Sequence, residues 1–130
     1  MNEDQTSSKP EKGSKLDSEF EFESVYANNT RCELSVWDLK VLFGELMQHT
    51  GKESVEWHTA VTLPWMQVKI LIYYLRVNLA LHEFMCGPLN VHPNVMPPKP
   101  TPPTPELLAE HPKAQDAYES ACRIHSEMFD

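Results

Sequence analysis

The sequence predicts an α+β fold, in which a small antiparallel sheet of about three strands packs on one long helix. Two observations carry this prediction. Apolar and polar residues alternate in two stretches between Trp37 and Leu63, which is the period of two expected of half-buried strands. From Pro64 to Gly87 an apolar run of helical length follows. The N-terminus is predicted to be disordered, and a proline-rich C-terminal extension is predicted to end in a helix.

The three strands are predicted from the segment that precedes the helix. Residues 20–35 hold alternating and aromatic side chains without a helical period, which indicates a first strand, bulged near Asn28 and Asn29. Trp37 begins an alternation that predicts a second strand ending at Gly44. After a polar loop at residues 48–54, a third strand is predicted to turn one set of alternate residues to the same face: Val55, Trp57, Thr59, Val61 and Leu63.

The long helix is predicted to begin at Pro64 and to end at Gly87, because proline suits a first turn and glycine suits a C-terminal cap. At 100° per residue its apolar side chains fall into two nearly opposite sectors. Sector 1 comprises Met66, Ile70, Tyr73, Tyr74, Val77, Leu81 and Phe84. Sector 2 comprises Val68, Ile72, Leu75, Leu79 and Cys86. One sheet covers one sector only, so the pattern predicts a further partner for the other.

Composition excludes several functional classes. The chain of 130 residues suits one small domain with tails, and its formal charge of −8 argues against binding to nucleic acid or to anionic membrane surfaces. Lys69 and Arg76 lie inside the apolar helix, where each costs about 2.5–3.5 kcal/mol on insertion, so a membrane span is rejected. Three scattered cysteines give no disulfide framework, and no signal peptide is seen, so we expect a cytoplasmic protein.

Four segments are expected along the chain. A disordered acidic tail occupies residues 1–18, the folded α+β domain residues 19–91, a proline-rich linker residues 92–112, and an amphipathic helix residues 113–130. Within the linker, Thr104 and Pro105 are typical of a helix start. The apolar face of the last helix is predicted to comprise Ala114, Ala117, Ala121, Ile124 and Met128, with Tyr118 beside them.

Two pairs of residues have the spacing of metal ligands on a helix. His82 and Cys86 are four residues apart, and Cys122 and His125 are three apart. Neither pair has a second pair to complete a tetrahedral site, so the histidines are interpreted as ordinary helix residues and the cysteines as apolar ones. We therefore expect no metal site and no cofactor.

A catalytic site is not predicted either. His58, Asp38 and Lys40 fall on adjacent strands, but cross-strand charge pairing explains them better than acid–base catalysis. The chain contains no nucleophile elbow, phosphate-binding loop or zinc-protease motif. Asn28 and Asn29 suit a bulge or turn better than a ligand site. The three tryptophans, Trp37, Trp57 and Trp65, are predicted to be core residues, and an exposed one would mark a contact surface.

The order of short motifs over about residues 22–91 resembles a known family. The segments are VYANNTRCELSVWDLKVLFGEL, then VTLPWMQVK at the helix entry, then HEFMCGPLNV at its end. Together they resemble the bacterial family called domain of unknown function 3467. The matching positions are Tyr26, Asn28, Ser35, Asp38, Phe43, Gly44, Pro64, Lys69, Glu83 and Gly87. Leu63 stands where the family has a small polar cap, and Val68 where it typically has alanine. The resemblance implies a small, oligomeric α+β domain without a known reaction, and at fold level the chain also resembles the SecB export chaperone.

The sequence thus favours a non-enzymatic, self-associating binding or scaffolding module, with a homodimer as the expected assembly. The candidate interface residues are Met66, Ile70, Ile72, Tyr73, Tyr74, Leu75, Val77, Leu79, Leu81 and Phe84. Three alternatives stay open. In the first alternative, the C-terminal helix covers the second sector of its own chain. In the second, the protein holds unfolded client proteins as SecB does. In the third, it is a small metal-dependent enzyme.

Overall fold

The computed structural model describes residues 21–49 and 51–130. The predicted tail at residues 1–18 and the predicted start of the first strand at Phe20 lie outside these residues. The described chain forms two compact units, which divide between Ile72 and Tyr73. The described part contains both an antiparallel sheet and helices, which confirms the α+β class.

The first unit contains the predicted three-stranded antiparallel sheet. Its strands are β1 (Asn29–Leu34), β2 (Asp38–His49) and β3 (Lys52–Pro64), and they lie side by side in that order. Residues 21–28 have no regular secondary structure, so the first strand is shorter than predicted. The predicted bulge near Asn28 and Asn29 was wrong, because Asn29 pairs in register with Gly44 and the sheet's irregularity lies between β2 and β3.

The hairpin between β2 and β3 is tighter than the sequence predicts. Residues 48–54 were expected to form a loop, but β2 continues to His49 and β3 begins at Lys52. Gly51 lies in the turn with φ of 79°, a left-handed conformation that glycine adopts without a steric cost. The tight turn lets Gln48 pair with Glu53, which lengthens the ladder at the expense of the loop.

A β-bulge divides the long hairpin into two parts. Phe43 pairs with Thr59, but the next residue, Gly44, pairs with Trp57, so His58 is the additional residue. Because side chains alternate across a strand, one extra residue moves every preceding side chain of β3 to the opposite face. The prediction that Val55 and Trp57 share a face with Thr59 and the residues after it was therefore wrong.

Gly44 lies at the bulge because no side chain fits there. It is buried, and the nearest atoms belong to β3. A Cβ atom at this position would lie 2.7 Å from the carbonyl oxygen of Glu56, 2.8 Å from Cε3 of Trp57 and 2.9 Å from Cγ1 of Val55. The indole ring thus packs directly over the glycine backbone, and the bulge that turns Trp57 to this face depends on a glycine in β2.

Helix α1 (Trp65–Cys86) follows β3 without a loop and includes the division between the two units. The helix begins one residue after the predicted start at Pro64, which is the last residue of β3, and it ends just before Gly87 as predicted. Gly87 has φ of 90°, and its N–H donates to the carbonyl of Glu83. The Glu83 carboxylate also accepts from the N–H of Leu89 at 3.2 Å, so this side chain fixes the chain reversal after the helix.

The second unit contains two further helices, α2 (Pro105–Glu110) and α3 (Ala114–Phe129), which confirms the predicted C-terminal helix. The Thr104 hydroxyl accepts from the N–H of Leu107 at 3.2 Å and caps α2, as the sequence predicts.

The face that α3 turns inward agrees with the predicted one in the first half of the helix, where Ala114, Tyr118 and Ala121 are half-buried. It differs in the second half, where Ile124 and Met128 are more than half exposed, whereas His125 is buried and Phe129 is half-buried. His125 lies inward because its Nε2 is 2.9 Å from the carbonyl oxygen of Pro97, so the ring satisfies a backbone group. It also packs edge-to-face against Phe129 at a centroid distance of 5.1 Å.

The proline-rich segment (residues 97–105) lies against α3. Extended proline-rich chain repeats every three residues, so Pro97, Pro100 and Pro103 share one side. Pro100 and Pro103 are half-buried and line a cavity of about 560 Å³, which they share with Tyr118. With the hydrogen bond between His125 and Pro97, this packing joins the proline-rich segment to α3.

Candidate interaction surface

Most apolar side chains of α1 are uncovered. Val68, with 9% of its surface exposed, is the one buried hydrophobic residue among those that the structure describes. The members of sector 1 retain much of their surface, from 39% for Val77 to 88% for Phe84. Large apolar patches of this kind mark contact sites on proteins.

Sector 2 is covered in part by the chain itself. Its first member is the buried Val68. In the second unit, Leu79 lines a cavity of about 380 Å³ together with Met128 and Phe129, which belong to the last turn of α3. Leu79 is therefore only 37% exposed, although Leu75 one turn earlier is 59% exposed. The exposures of the two sectors overlap, because Ile72 of sector 2 is 51% exposed and Val77 of sector 1 is 39% exposed, so the buried Val68 is what distinguishes sector 2.

A second apolar surface lies at the turn between β1 and β2. Ser35 organises this turn: its hydroxyl accepts from the N–H groups of Trp37 and Asp38 at 3.1 and 3.0 Å and donates to the Asp38 carboxylate at 2.9 Å. Its own carbonyl accepts from the indole N–H of Trp65 at 3.0 Å. The turn is thereby fixed both internally and against the first residue of α1.

The turn carries exposed apolar side chains on this rigid backbone. Leu34, Val36 and Trp37 are 80%, 85% and 82% exposed. Trp65 and Met66, at the start of α1, are 41% and 79% exposed. We name these five residues the turn patch.

The tryptophans therefore do not form a core, and that prediction was wrong. Trp37 lies in a turn rather than on a strand face, and Trp57 and Trp65 remain 42% and 41% exposed. The sequence signalled the turn itself through Ser35 and Asp38, whose side chains commonly bond to nearby backbone groups. The sequence did not indicate that Val36 and Trp37, between Ser35 and Asp38, would be exposed. The alternation of apolar and polar residues shows how side chains are spaced along the chain, but not what they contact.

The residues considered for catalysis are not brought together. His58 lies at the bulge, where its Nδ1 is 2.7 Å from Thr59 Oγ1 and its Nε2 is 2.9 Å from the carbonyl oxygen of Tyr26. Asp38 begins β2 five residues before Phe43, the strand position next to the bulge. At 3.4 Å per residue they are separated by roughly 17 Å, so they cannot share a proton or a substrate atom.

The residues considered for metal binding have other surroundings. His82 and Cys86 are exposed on α1, whereas Cys122 is half-buried and His125 is buried on α3. A hydrogen bond to Cys122 raises the pKa of Tyr118 above its usual value, with charge repulsion and burial as smaller causes. Across residues 21–49 and 51–130, no three His, Cys, Asp or Glu side chains form a group that could hold a metal ion.

Asn28 has a structural position. Its N–H donates to the carbonyl of Gly44 at 3.0 Å, and its Oδ1 accepts from the N–H of Leu46 at 2.8 Å. The side chain thus extends the β1–β2 ladder past the end of β1. Asn29 donates to the same oxygen at 3.1 Å, so both asparagines serve the sheet.

None of the helices in the described part of the chain has both the length and the apolarity needed to cross a membrane. Comparison of the chain with protein-family models, with curated proteins and with solved structures finds no match to any of them.

Proposed function

We propose that this chain is a non-enzymatic, self-associating protein-binding module, and that two copies meet through sector 1 of α1. The observation that carries the proposal is the exposure of sector 1. Met66, Tyr73 and Phe84 of this sector are 79%, 63% and 88% exposed, whereas sector 2 contains the buried Val68.

The area available on sector 1 suits a protein interface. Seven side chains at about half exposure present roughly 100 Å² each, or about 700 Å² per copy. Two copies would bury about 1,400 Å², which lies within the range of specific protein–protein interfaces.

A second copy is the partner that the sector fits best. The seven residues are uncharged, and an apolar, uncharged centre is typical of homodimer interfaces. A two-fold axis would use the same sector on both copies and leave neither one exposed. An antiparallel pairing of the two helices would also place their dipoles in the favourable orientation.

The test is the mass of the full chain in solution by light scattering and sedimentation velocity over a dilution series. We expect a dimer at micromolar concentration. The double variant Tyr74→Glu, Leu81→Glu should be a helical monomer, because it places two charges in the apolar sector. His82→Glu, which adds one such charge about 130° around the helix from the centre of sector 1, serves as the control and should remain dimeric. A folded wild-type monomer at 50 µM would refute the proposal.

The cytoplasmic location is part of the same proposal. Cys32 and Cys86 are exposed free thiols and Cys122 is half-buried, so none of the three is in a disulfide. Free, exposed thiols suit a reducing compartment. Labelling with a thiol reagent in intact cells, before and after lysis, distinguishes this location from an oxidising one.

Holding of unfolded client proteins is the second candidate, and the exposed turn patch is the observation that favours it. A chaperone of this kind would use Trp37 and Val36 to bind apolar segments of many proteins. It would suppress the aggregation of a chemically denatured test protein at a stoichiometric ratio. If the protein is a dimer but does not reduce this aggregation, the result supports self-association and contradicts the chaperone function.

A further inference from the structure

The proline-rich segment (residues 97–105) has one side that its own chain leaves exposed. We infer that this side, formed by Lys99, Pro102 and Pro105, is the ligand of a polyproline-binding domain in another protein. Such a domain has an aromatic-lined groove that receives the two prolines, and an acidic pocket that receives the lysine. The inference is independent of self-association, because none of the three residues belongs to sector 1.

The residue order of the segment dictates its backbone conformation. From Met96 to Pro105, every residue either is a proline or directly precedes one. The proline ring holds φ at about −65°, and a following proline disfavours the helical region for the residue before it. Thr104 has φ of −69° and ψ of 155°, close to the polyproline II values of about −75° and 145°. The segment is therefore a short polyproline II helix.

The sides of this helix differ in exposure. Polyproline II has three residues per turn, so residues three apart share a side. Pro100 and Pro103 share one side, and both are half-buried at the cavity beside α3. Lys99, Pro102 and Pro105 share a second side, and all three are exposed, although Pro102 also borders the cavity. The chain thus covers one side with its own residues and leaves another open to a partner.

Both ends of the segment are fixed by hydrogen bonds. At its start, the carbonyl oxygen of Pro97 is 2.9 Å from Nε2 of His125. At its end, the Thr104 hydroxyl accepts from the N–H of Leu107 at 3.2 Å, and the Thr104 carbonyl accepts from the N–H of Leu108 at 3.0 Å. A segment held in this way loses less conformational entropy on binding than a free chain does.

The lysine determines which kind of polyproline-binding domain the segment fits. Lys99 is the one lysine or arginine between Arg76 and Lys113, and Pro102 and Pro105 follow it at intervals of three. An acidic pocket at one end of the groove complements this charge and also sets the direction in which the segment lies. SH3 domains read PxxP segments through an aromatic groove, so a domain of this type with an acidic pocket is the partner that the charge and the spacing fit.

The experiment titrates the full chain into a set of isotopically labelled SH3 domains that select a basic residue before PxxP, and it follows binding by NMR. We expect saturable shifts at the groove. Pro102→Ala removes a ring from the groove, and Lys99→Glu brings a negative charge to the acidic pocket, so each should raise the dissociation constant at least tenfold. Because Lys99 is exposed, Lys99→Glu keeps the test decisive if Pro102→Ala does not fold.

The control variants match these changes in type. Pro98→Ala removes an exposed proline from the third side of the same helix, and Lys113→Glu reverses an exposed charge outside the segment. Both should bind within threefold of the wild type. The variant Tyr74→Glu, Leu81→Glu should also bind as the wild type does, so failure of the dimer and failure of this inference are distinguishable.

Three results would overturn the inference. In the first, no domain of the set binds the wild type at about 1 mM, which corresponds to a binding free energy weaker than about −4 kcal/mol. In the second, Pro102→Ala and Lys99→Glu bind as the wild type does, because binding then involves another surface. In the third, Pro98→Ala weakens binding as much as Pro102→Ala does, because the partner then does not read the exposed side.

Discussion

Replacement of Gly44 by alanine is the sharpest test of the bulged hairpin. The added Cβ would come within 3.0 Å of three atoms: the carbonyl oxygen of Glu56, the indole of Trp57 and Cγ1 of Val55. One of these is a backbone atom of the paired strand and cannot rotate away. The substitution therefore requires a shift of the strand or of the indole, which costs free energy even though alanine is otherwise the better strand residue.

The expected magnitude follows from two opposing effects. Overpacking by one methyl group costs about 1–3 kcal/mol. Removal of glycine from a strand contributes about 0.5–1 kcal/mol in the other direction. We therefore expect Gly44→Ala to lower the free energy of unfolding by about 1–2 kcal/mol, measured by urea denaturation with circular dichroism at one fixed protein concentration.

The cause is tested by a double-mutant cycle with Trp57→Ala. Without the indole, one of the three close contacts is removed, so the cost of Gly44→Ala should fall by about 0.5–1 kcal/mol. The steric argument is refuted if Gly44→Ala is as stable as the wild type within 0.5 kcal/mol. It is equally refuted if the loss is the same whether or not the indole is present.

Three further substitutions probe the turn and the second unit. Trp65→Phe removes the indole donor to the Ser35 carbonyl and should cost about 0.5–1 kcal/mol in urea unfolding, while a loss near zero would mean that the bond adds no stability. Cys122→Ala should lower the pKa of Tyr118 toward its usual value in an ultraviolet absorbance titration, and an unchanged pKa would contradict the hydrogen bond as its cause. Because the pKa of Tyr118 is raised in the folded chain, its contribution to stability is present below about pH 10 and is lost as pH rises above that value. His125→Ala leaves the carbonyl of the proline-rich segment without its partner, so amide hydrogen exchange in α3 should accelerate, and unchanged exchange would show that α3 does not depend on this contact.

Local sequence patterns predicted the secondary structure well. Proline before α1 and glycine after it gave both ends of the helix, because these residues act through their own backbone geometry. Thr104 and Pro105 gave the start of α2 for the same reason. The hairpin was predicted with too long a loop, because polar residues near Gly51 were interpreted as loop although they are the exposed ends of long strands.

The faces of the strands could not be predicted from alternation alone. The period of two holds only as long as the register is unbroken, and the additional residue at His58 breaks it. Trp57 was therefore placed on the wrong face, and the close approach of its ring to Gly44 was missed. A glycine in an otherwise regular strand was the available signal, since such glycines commonly mark a bulge or a close contact.

The same limit applies to the candidate interaction surface. The angular positions of α1 residues follow from the helix period, so the sequence by itself determined that two apolar sectors exist and which residues form each of them. Only the tertiary structure decided which of these side chains are covered, namely that Val68 of sector 2 is buried whereas Met66 and Phe84 of sector 1 are 79% and 88% exposed. It also decided that Trp37 is exposed, since the exposure of a side chain is set by residues distant in sequence and not by its neighbours.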